Sequence, residues 1–214
     1  MISVVIPTYN SQDYLPRCFD SLIAATVHGV VREVIVADGG STDDTLAIAD
    51  GAGARIASGG KSRGSQLMAG AKAARHDWML FLRPETALDP GWDVEAEAFV
   101  SRARLEDPHA AAFRFSLDDF SAEARRAEIV AGLRCALFKL PSGEQGLLVS
   151  KRQYRSVGGY RDCAMEDIDL VRRIGGRRIV MLRSRAVNKA APRTRPLTVL
   201  HALRFPTSVL ARLG

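Results

Sequence analysis

The stretch Glu33-Val34-Ile35-Val36-Ala37-Asp38-Gly39-Gly40-Ser41-Thr42-Asp43 passes from an apolar strand through a polar, glycine-bearing turn into the acidic start of a helix. A short β-branched run closed by Asp and Gly is the pattern of a buried strand ending in a turn. Residues 43–49 then begin a helix whose acids complement the dipole at its N-terminus. The same order occurs one unit earlier. Ile2-Ser3-Val4-Val5-Ile6 is a strand closed by Pro7, and Ser11 caps a helix with Leu15, Phe19, Leu22 and Ile23 on one face and Pro16 in its first turn. It recurs downstream, where residues 54–57 predict a third strand, 62–75 a helix, and Trp78-Met79-Leu80-Phe81-Leu82 a fourth, wholly apolar strand. Continuous apolar strands alternating with helices specify an α/β fold with a mostly parallel central sheet and helices on both faces. Further on, Ala110–Leu117 alternates like a half-exposed strand, residues 123–138 are helical, and 146–149 form another short strand.

Right-handed crossovers place the loops that follow parallel strands along one sheet edge, where open α/β sheets bind ligands. The first such loop offers Thr8, Tyr9 and Asn10, the second Asp38, Gly39 and Gly40, and the fourth Arg83 and Glu85. Lys61, Arg63 and Gly64 open the helix after the third strand. There a guanidinium, free backbone N–H groups and the helix dipole together suit an anion, although a Lys-Ser-Arg-Gly loop is equally a solvent-exposed turn. Neither GxGxxG nor GxxxxGK[ST] is present, so dinucleotide and P-loop readings have no support.

With 214 residues and 47% hydrophobic content, the chain can bury a core of its own. Cys18, Cys135 and Cys163 are far apart and lack metal-ligand spacing, which points to a reducing cytoplasm rather than a disulfide framework or zinc site. No run approaches the ~18 apolar residues of a membrane span. From Arg172 onward the chain holds ten Arg, one Lys and no acid, a net +11, so the remainder is −5 against +6 for the whole. Such a basic end suits anionic lipid, a phosphorylated substrate or a solvated face. No nucleic-acid motif accompanies it, and no nucleic-acid partner is expected.

Residues 165–170, Met-Glu-Asp-Ile-Asp-Leu, follow a Gly158-Gly159-Tyr160 turn and set three acids in four positions. Helical spacing puts Glu166 and Asp169 on one face and leaves Asp167 pointing elsewhere. Crowded carboxylates raise one another's pKa values, which suits a general base; acids in a first helical turn also simply complement the dipole.

Taken in order, Ile6-Pro7-Thr8-Tyr9-Asn10, Val36-Ala37-Asp38-Gly39-Gly40-Ser41-Thr42-Asp43, Leu80-Phe81-Leu82 and Glu166-Asp167-Ile168-Asp169-Leu170 resemble a family 2 glycosyltransferase of the GT-A fold. The resemblance runs from about Met1 to Lys189. Arg63 to Ala71 and Gly143-Glu144-Gln145-Gly146 are similar to the branch associated with radical-SAM and selenium-related domains. The resemblance implies a nucleotide-sugar donor bound by Pro7, Thr8, Asn10, Asp38, Gly39, Arg63, Arg83 and Gln145. It implies an acceptor hydroxyl attacking with inversion, Asp167 as general base and Glu166 orienting the site or meeting the acceptor. Asp169 is assigned to pairing with Arg172 or Arg173. Where the family pattern carries a metal-holding Asp-x-Asp, this chain has Arg83-Pro84-Glu85. Three alternatives follow: Glu85 holds Mg²⁺ or Mn²⁺, Arg83 replaces part of the cation's charge, or the domain binds a nucleotide or sugar without turnover.

The expected organisation is a transferase domain at 1–190 and a basic amphipathic tail at 191–214. Leu197, Val199, Leu200, Leu203, Phe205 and Arg195, Arg204, Arg212 give the tail an interfacial-helix composition. The expectation is that it docks on the inner face of a membrane that presents a lipid-linked acceptor, or packs on the domain or a second subunit.

Overall fold

The computed structural model describes residues 1–103, 109–119, 121–138 and 141–189; the segment 191–214 that the sequence sets apart as a tail lies outside them. In chain order the elements are β1 (Ile2–Thr8), α1 (Leu15–Asp20), α2 (Ile23–Val27), β2 (Val31–Asp38), α3 (Thr45–Gly51), β3 (Arg55–Ser58), α4 (Arg63–Ala73), β4 (Trp78–Phe81) and β5 (Thr86–Leu88). There follow α5 (Trp92–Ala103), β6 (Ala110–Leu117), α6 (Ala122–Phe138), a 3-10 turn (Gly143–Gln145), β7 (Leu147–Ser150), α7 (Lys151–Ser156), α8 (Glu166–Ile174) and β8 (Ile179–Asn188).

One eight-stranded sheet has the order β3-β2-β1-β4-β7-β6-β8-β5. Its first four strands are mutually parallel, as the repeated strand–helix pattern requires. β7 is antiparallel to β4 and β6, and β5 antiparallel to β8, while β6 and β8 run parallel. The continuous apolar runs are explained by two cores, one on each face. Ile2, Val4 and Ile6 of β1 pack with Trp78, Leu80 and Leu82 against Leu15, Leu22, Trp92 and Ala96. Val5 of β1 joins Met79, Phe81, Leu67, Leu170 and Ile174 on the other face. Each such aliphatic side chain contributes about 1.5–3 kcal/mol on burial, so alternate residues of a single strand stabilise both layers.

Three expectations need correction. The helix after β1 is two short helices: Tyr14, not Ser11, is the N-cap of α1, and the carbonyl of Ser11 accepts the amides of Tyr14 and Leu15. Between α1 and α2, the Ser21 carbonyl accepts the indole N–H of Trp92 at 2.9 Å, tying the break to α5. β6 is not half exposed throughout, because Ala110–Phe113 are buried on both faces between β7 and β8, and alternation begins only at Arg114. β5 and β8 extend the sheet, and the helix α5 packs against it, beyond the elements legible in the sequence.

Candidate active site

The carboxyl ends of β1, β2 and β4 meet at one edge: Thr8 pairs in register with Asp38, and Leu82 N–H donates to the Val5 carbonyl at 3.0 Å. Asp38 is buried at the end of β2. Its Oδ1 accepts the hydroxyls of Thr8 (2.9 Å) and Ser41 (2.5 Å), and its Oδ2 accepts the amides of Gly40 and Ser41, both at 2.8 Å. Burial pushes this carboxyl up, but the bonds from Ser41, Gly40 and Thr8 outweigh it and hold the pKa below the usual value. A carboxylate has about four acceptor positions, and all are used within the protein. Asn10, at φ 49°, closes the same knot: its Oδ1 accepts Thr42 N–H at 2.8 Å and its own N–H donates to Ser41 Oγ at 2.9 Å. Gly39 lies against Gln66, with its N–H on the Thr8 carbonyl at 2.9 Å.

Arg63 is the first residue of α4, behind Ser62, whose hydroxyl accepts Ser65 N–H at 3.1 Å. A Cβ on Gly64 would meet the Arg161 carbonyl at 2.6 Å. The helix start is therefore packed under the 161–162 backbone, and the guanidinium of Arg63, rather than the α4 N-terminus, faces the cleft. Arg63 Nε makes a short hydrogen bond to Glu166 Oε1, and its Nη2 is 3.9 Å from Asp167 Oδ2. Arg83, just beyond β4, reaches Glu144 Oε1 at 3.3 Å and stands 3.7 Å from Asp167 Oδ2.

Asp167 thus lies between two guanidiniums, in the first turn of α8, entered through Met165 in the left-handed region at φ 63°. Tyr160 hydroxyl is 3.4 Å from its Oδ1. Burial pushes the tyrosine hydroxyl well above its ordinary range, with the Asp167 charge adding to it, so Tyr160 remains a donor. Gly143 leaves the space Asp167 occupies, since a Cβ there would lie 2.1 Å from Oδ2. The Asp167 carboxyl is raised, first by burial; Arg83 and Arg63 counter this, and Glu166 adds to it. The acids of this turn separate by partner: Glu166 goes to Arg63, while Asp169 meets Arg173 at 2.6 Å, as assigned from the sequence.

The cleft has two connected parts sharing Pro7, Arg63 and Arg83. A polar groove also holds Lys61, Gln66 and Glu85. A more enclosed, largely apolar pocket contains Asp167, Tyr160 and Gly143. Gln145 is in neither. It is buried, with its Oε1 accepting Ser142 N–H at 3.0 Å and its Nε2 donating to the Phe113 carbonyl at 3.0 Å, so the expected sugar contact is replaced by a capping box. Its neighbour Glu144 carries the polar contact instead, and Tyr160 is a second site residue the sequence did not single out.

The metal alternative meets a thin donor set. No group of three or more His, Cys, Asp or Glu able to hold a metal occurs among the described residues. The Glu85 carboxylate has no hydrogen bond or ion pair among the described residues, its backbone carbonyl accepts Lys189 N–H at 3.1 Å, and it shares its groove with Lys61, Arg63 and Arg83. A hard divalent cation takes six or more oxygens, so the residues present do not form a protein-built site for one. No described helix is long and apolar enough to cross a membrane.

This sheet, with its ligand-side loops, is the GT-A glycosyltransferase architecture. S. aureus TarS 1-349 superposes with a TM-score of 0.66 over 95% of this chain and 63% of that one, at 16% identity, a likeness of fold. Glucosyl-3-phosphoglycerate synthase from Mycobacterium tuberculosis, in complex with Mn²⁺, UDP and glucosyl-3-phosphoglycerate, gives 0.63 at 25% identity over 99% of this chain and 79% of that one. The family model described as Glycosyl transferase family 2 matches residues 3–126, more than half the chain, and the chain belongs to that family. A glucosyl-3-phosphoglycerate synthase of Mycolicibacterium paratuberculosis is 49% identical over 57 residues, 27% of this chain and 17% of that protein. A poly(ribitol-phosphate) beta-glucosyltransferase of Bacillus spizizenii is 47% identical over 47 residues, 22% of this chain and 7% of that protein. These matched stretches span less than a fifth of each relative's length.

Proposed function

We propose that this domain transfers a sugar from a nucleotide-sugar donor to an acceptor hydroxyl with inversion, Asp167 acting as general base. The observation that carries the reading is the Asp167 environment: a largely enclosed carboxylate, its side chain 13% exposed, beside the groove, with its pKa raised, between Arg63 and Arg83 and within reach of Tyr160. A base works best with a pKa lifted toward working pH, and a positioned one is worth roughly 10²- to 10⁴-fold. In the step itself the acceptor oxygen bonds to the anomeric carbon as the bond to the diphosphate oxygen breaks. The acceptor proton passes to Asp167, and the charge left on the diphosphate is met by the guanidiniums.

Solved relatives named as complexes with UDP, UDP-glucose and UDP-GlcNAc support a uridine donor as the first choice. Pro7, Thr8, Asn10, Asp38 and Gly39 enter this reading as the framework of the nucleotide end. The similarity to the radical-SAM-associated branch, the division at residue 190, the cytoplasmic setting and a lipid-linked acceptor docked through 191–214 rest on sequence composition and pattern alone. Equal pelleting with anionic liposomes of the full chain and of a chain ending at Lys189 would remove the docking element.

The decisive test is release of nucleoside diphosphate from UDP-, GDP-, TDP- and CDP-sugars, with Asp167→Asn as control. The expected result is turnover with one donor base and its loss in the variant, with donor affinity kept. Donor binding without turnover in the parent protein would favour the runner-up, a degenerate transferase that senses its ligand, which draws its support from Arg83 replacing an acid.

A further inference from the structure

We infer that this chain grips the donor's diphosphate with a pair of arginines, Arg83 chief among them, in the place where a protein-held divalent cation would otherwise sit. The inference rests on the nucleotide-sugar reading above and specifies its chemistry. Arg83 occupies the loop after β4, where the family pattern carries an Asp-x-Asp that this chain lacks, and Arg63 opens α4 on the other side; both line both parts of the cleft. Of the charged residues lining the groove, Lys61, Arg63 and Arg83 present cations beside Glu85, while Glu166, Glu144 and Asp167 meet the two guanidiniums from behind the groove. A divalent ion there would have Glu85 as its one lining carboxylate, in a groove that Lys61, Arg63 and Arg83 also line.

Arg83 also has donors to spare. A guanidinium carries five N–H groups. Among the described residues only Nη1 makes a hydrogen bond, to Glu144 at 3.3 Å; Nη2 is 3.7 Å from Asp167, and Nε is buried with no partner among them. Long, incomplete pairing to two carboxylates keeps the fork near its place while leaving it able to turn to a better acceptor. Phosphate oxygens are such acceptors, because bidentate guanidinium–phosphate bonds are short and charge-assisted. Arg63 is more firmly tied, through Glu166, and supplies a fixed second charge. The arrangement fits the leaving group as well as the bound donor, since charge develops on the diphosphate as the glycosidic bond breaks.

The test is calorimetric titration of the full chain with UDP, GDP, TDP and CDP, in EDTA and in Mg²⁺ or Mn²⁺, with circular dichroism and melting curves confirming that each variant folds. The expected result is one preferred nucleotide whose Kd changes by less than about threefold between EDTA and metal. Arg83→Gln weakens it by about 10- to 100-fold, the loss of one charge-assisted hydrogen-bonding partner. Arg83→Lys, which keeps a point charge and loses the fork, falls between. Glu85→Gln tightens binding by removing an anion beside the diphosphate. Binding seen only with metal and abolished by Glu85→Gln would overturn the inference while leaving the donor reading intact. So would metal-free binding that Arg83→Gln does not weaken. No binding of any of the four nucleotides in either condition would instead take down the donor reading on which the inference rests.

Discussion

Around Asp38 four donors stand within 2.5–2.9 Å of the carboxylate, whereas around Asp167 the nearest guanidinium nitrogens stand 3.7 and 3.9 Å away. Asp38 is buried and Asp167 largely enclosed, and both lie where the cleft is built, yet desolvation is overcome at the first and prevails at the second, so one pKa is lowered and the other raised. The β1–β2 side is finished architecture, its polar groups spent on one another. The β4–α8 side keeps charges in incomplete pairs, a state that a ligand can rearrange. Preorganised scaffold and unsatisfied chemistry are thus divided between the two ends of a single cleft.

The strongest way to break this contrast is to replace Asp167. Asp167→Asn preserves shape and removes the base, and kcat should fall by about 10²- to 10⁴-fold with donor Kd little changed. Steady-state kinetics beside calorimetry reads this directly, and a kcat within threefold of the parent would assign the base elsewhere. Gly143→Ala probes the same carboxylate from outside. Its new methyl would stand 2.1 Å from Oδ2, so Asp167 must move. Misplacement by about 1 Å can cost roughly 10²-fold, and the expected signature is a loss of kcat without loss of melting temperature.

The third expectation moves to the finished side. Asp38→Ala leaves the Thr8 and Ser41 hydroxyls and the Gly40 and Ser41 amides without their acceptor, and should destabilise the fold by about 2–4 kcal/mol, measured by urea unfolding. If Asp38 instead contributed chiefly to ligand binding, stability would hold and nucleotide affinity would collapse. Because its native pKa lies below the unfolded value, this contribution is present above the ordinary carboxylate range near about 3.9 and is lost as pH falls through the native value.

The same contrast governs what could be read from the sequence. β1, β2 and β4 announce themselves because a strand buried on both faces must be apolar at successive positions, and their crossovers are local. β5 has three residues, and its Thr86 bonds to Asn188 across 102 positions, so no local periodicity reveals it. β8 alternates buried residues with Arg183 and Arg185, which in the sequence merge into the basic C-terminal charge. In the site, residue types were legible but directions were not. Glu166 and Asp167 are adjacent, yet which acid meets the cleft is decided by Gly143, Tyr160 and Arg83, brought in by other elements. Gln145 did carry a usable signal: Ser142-x-x-Gln145 is a capping-box spacing, which consumes the glutamine locally and frees its neighbour Glu144 to face Arg83.

The smallest expected effect tests whether burial truly prevails at Asp167. An acid whose native pKa is raised holds its proton more tightly when folded, so between the ordinary carboxylate value and the raised one the native state binds more protons than the unfolded chain. Stability then declines as pH rises across that window, and above it the ionised carboxylate persists as a constant penalty. Asparagine carries no charge at any of these pH values. Asp167→Asn should therefore melt above the parent protein at pH 7–8, and the difference should shrink as pH falls toward about 4. A variant less stable than the parent at neutral pH would mean that Arg63 and Arg83 stabilise the carboxylate more than burial penalises it. The β4–α8 side would then be as self-satisfied as the knot around Asp38, and its guanidiniums could leave Asp167 for a diphosphate only at a cost in stability that donor binding would have to offset.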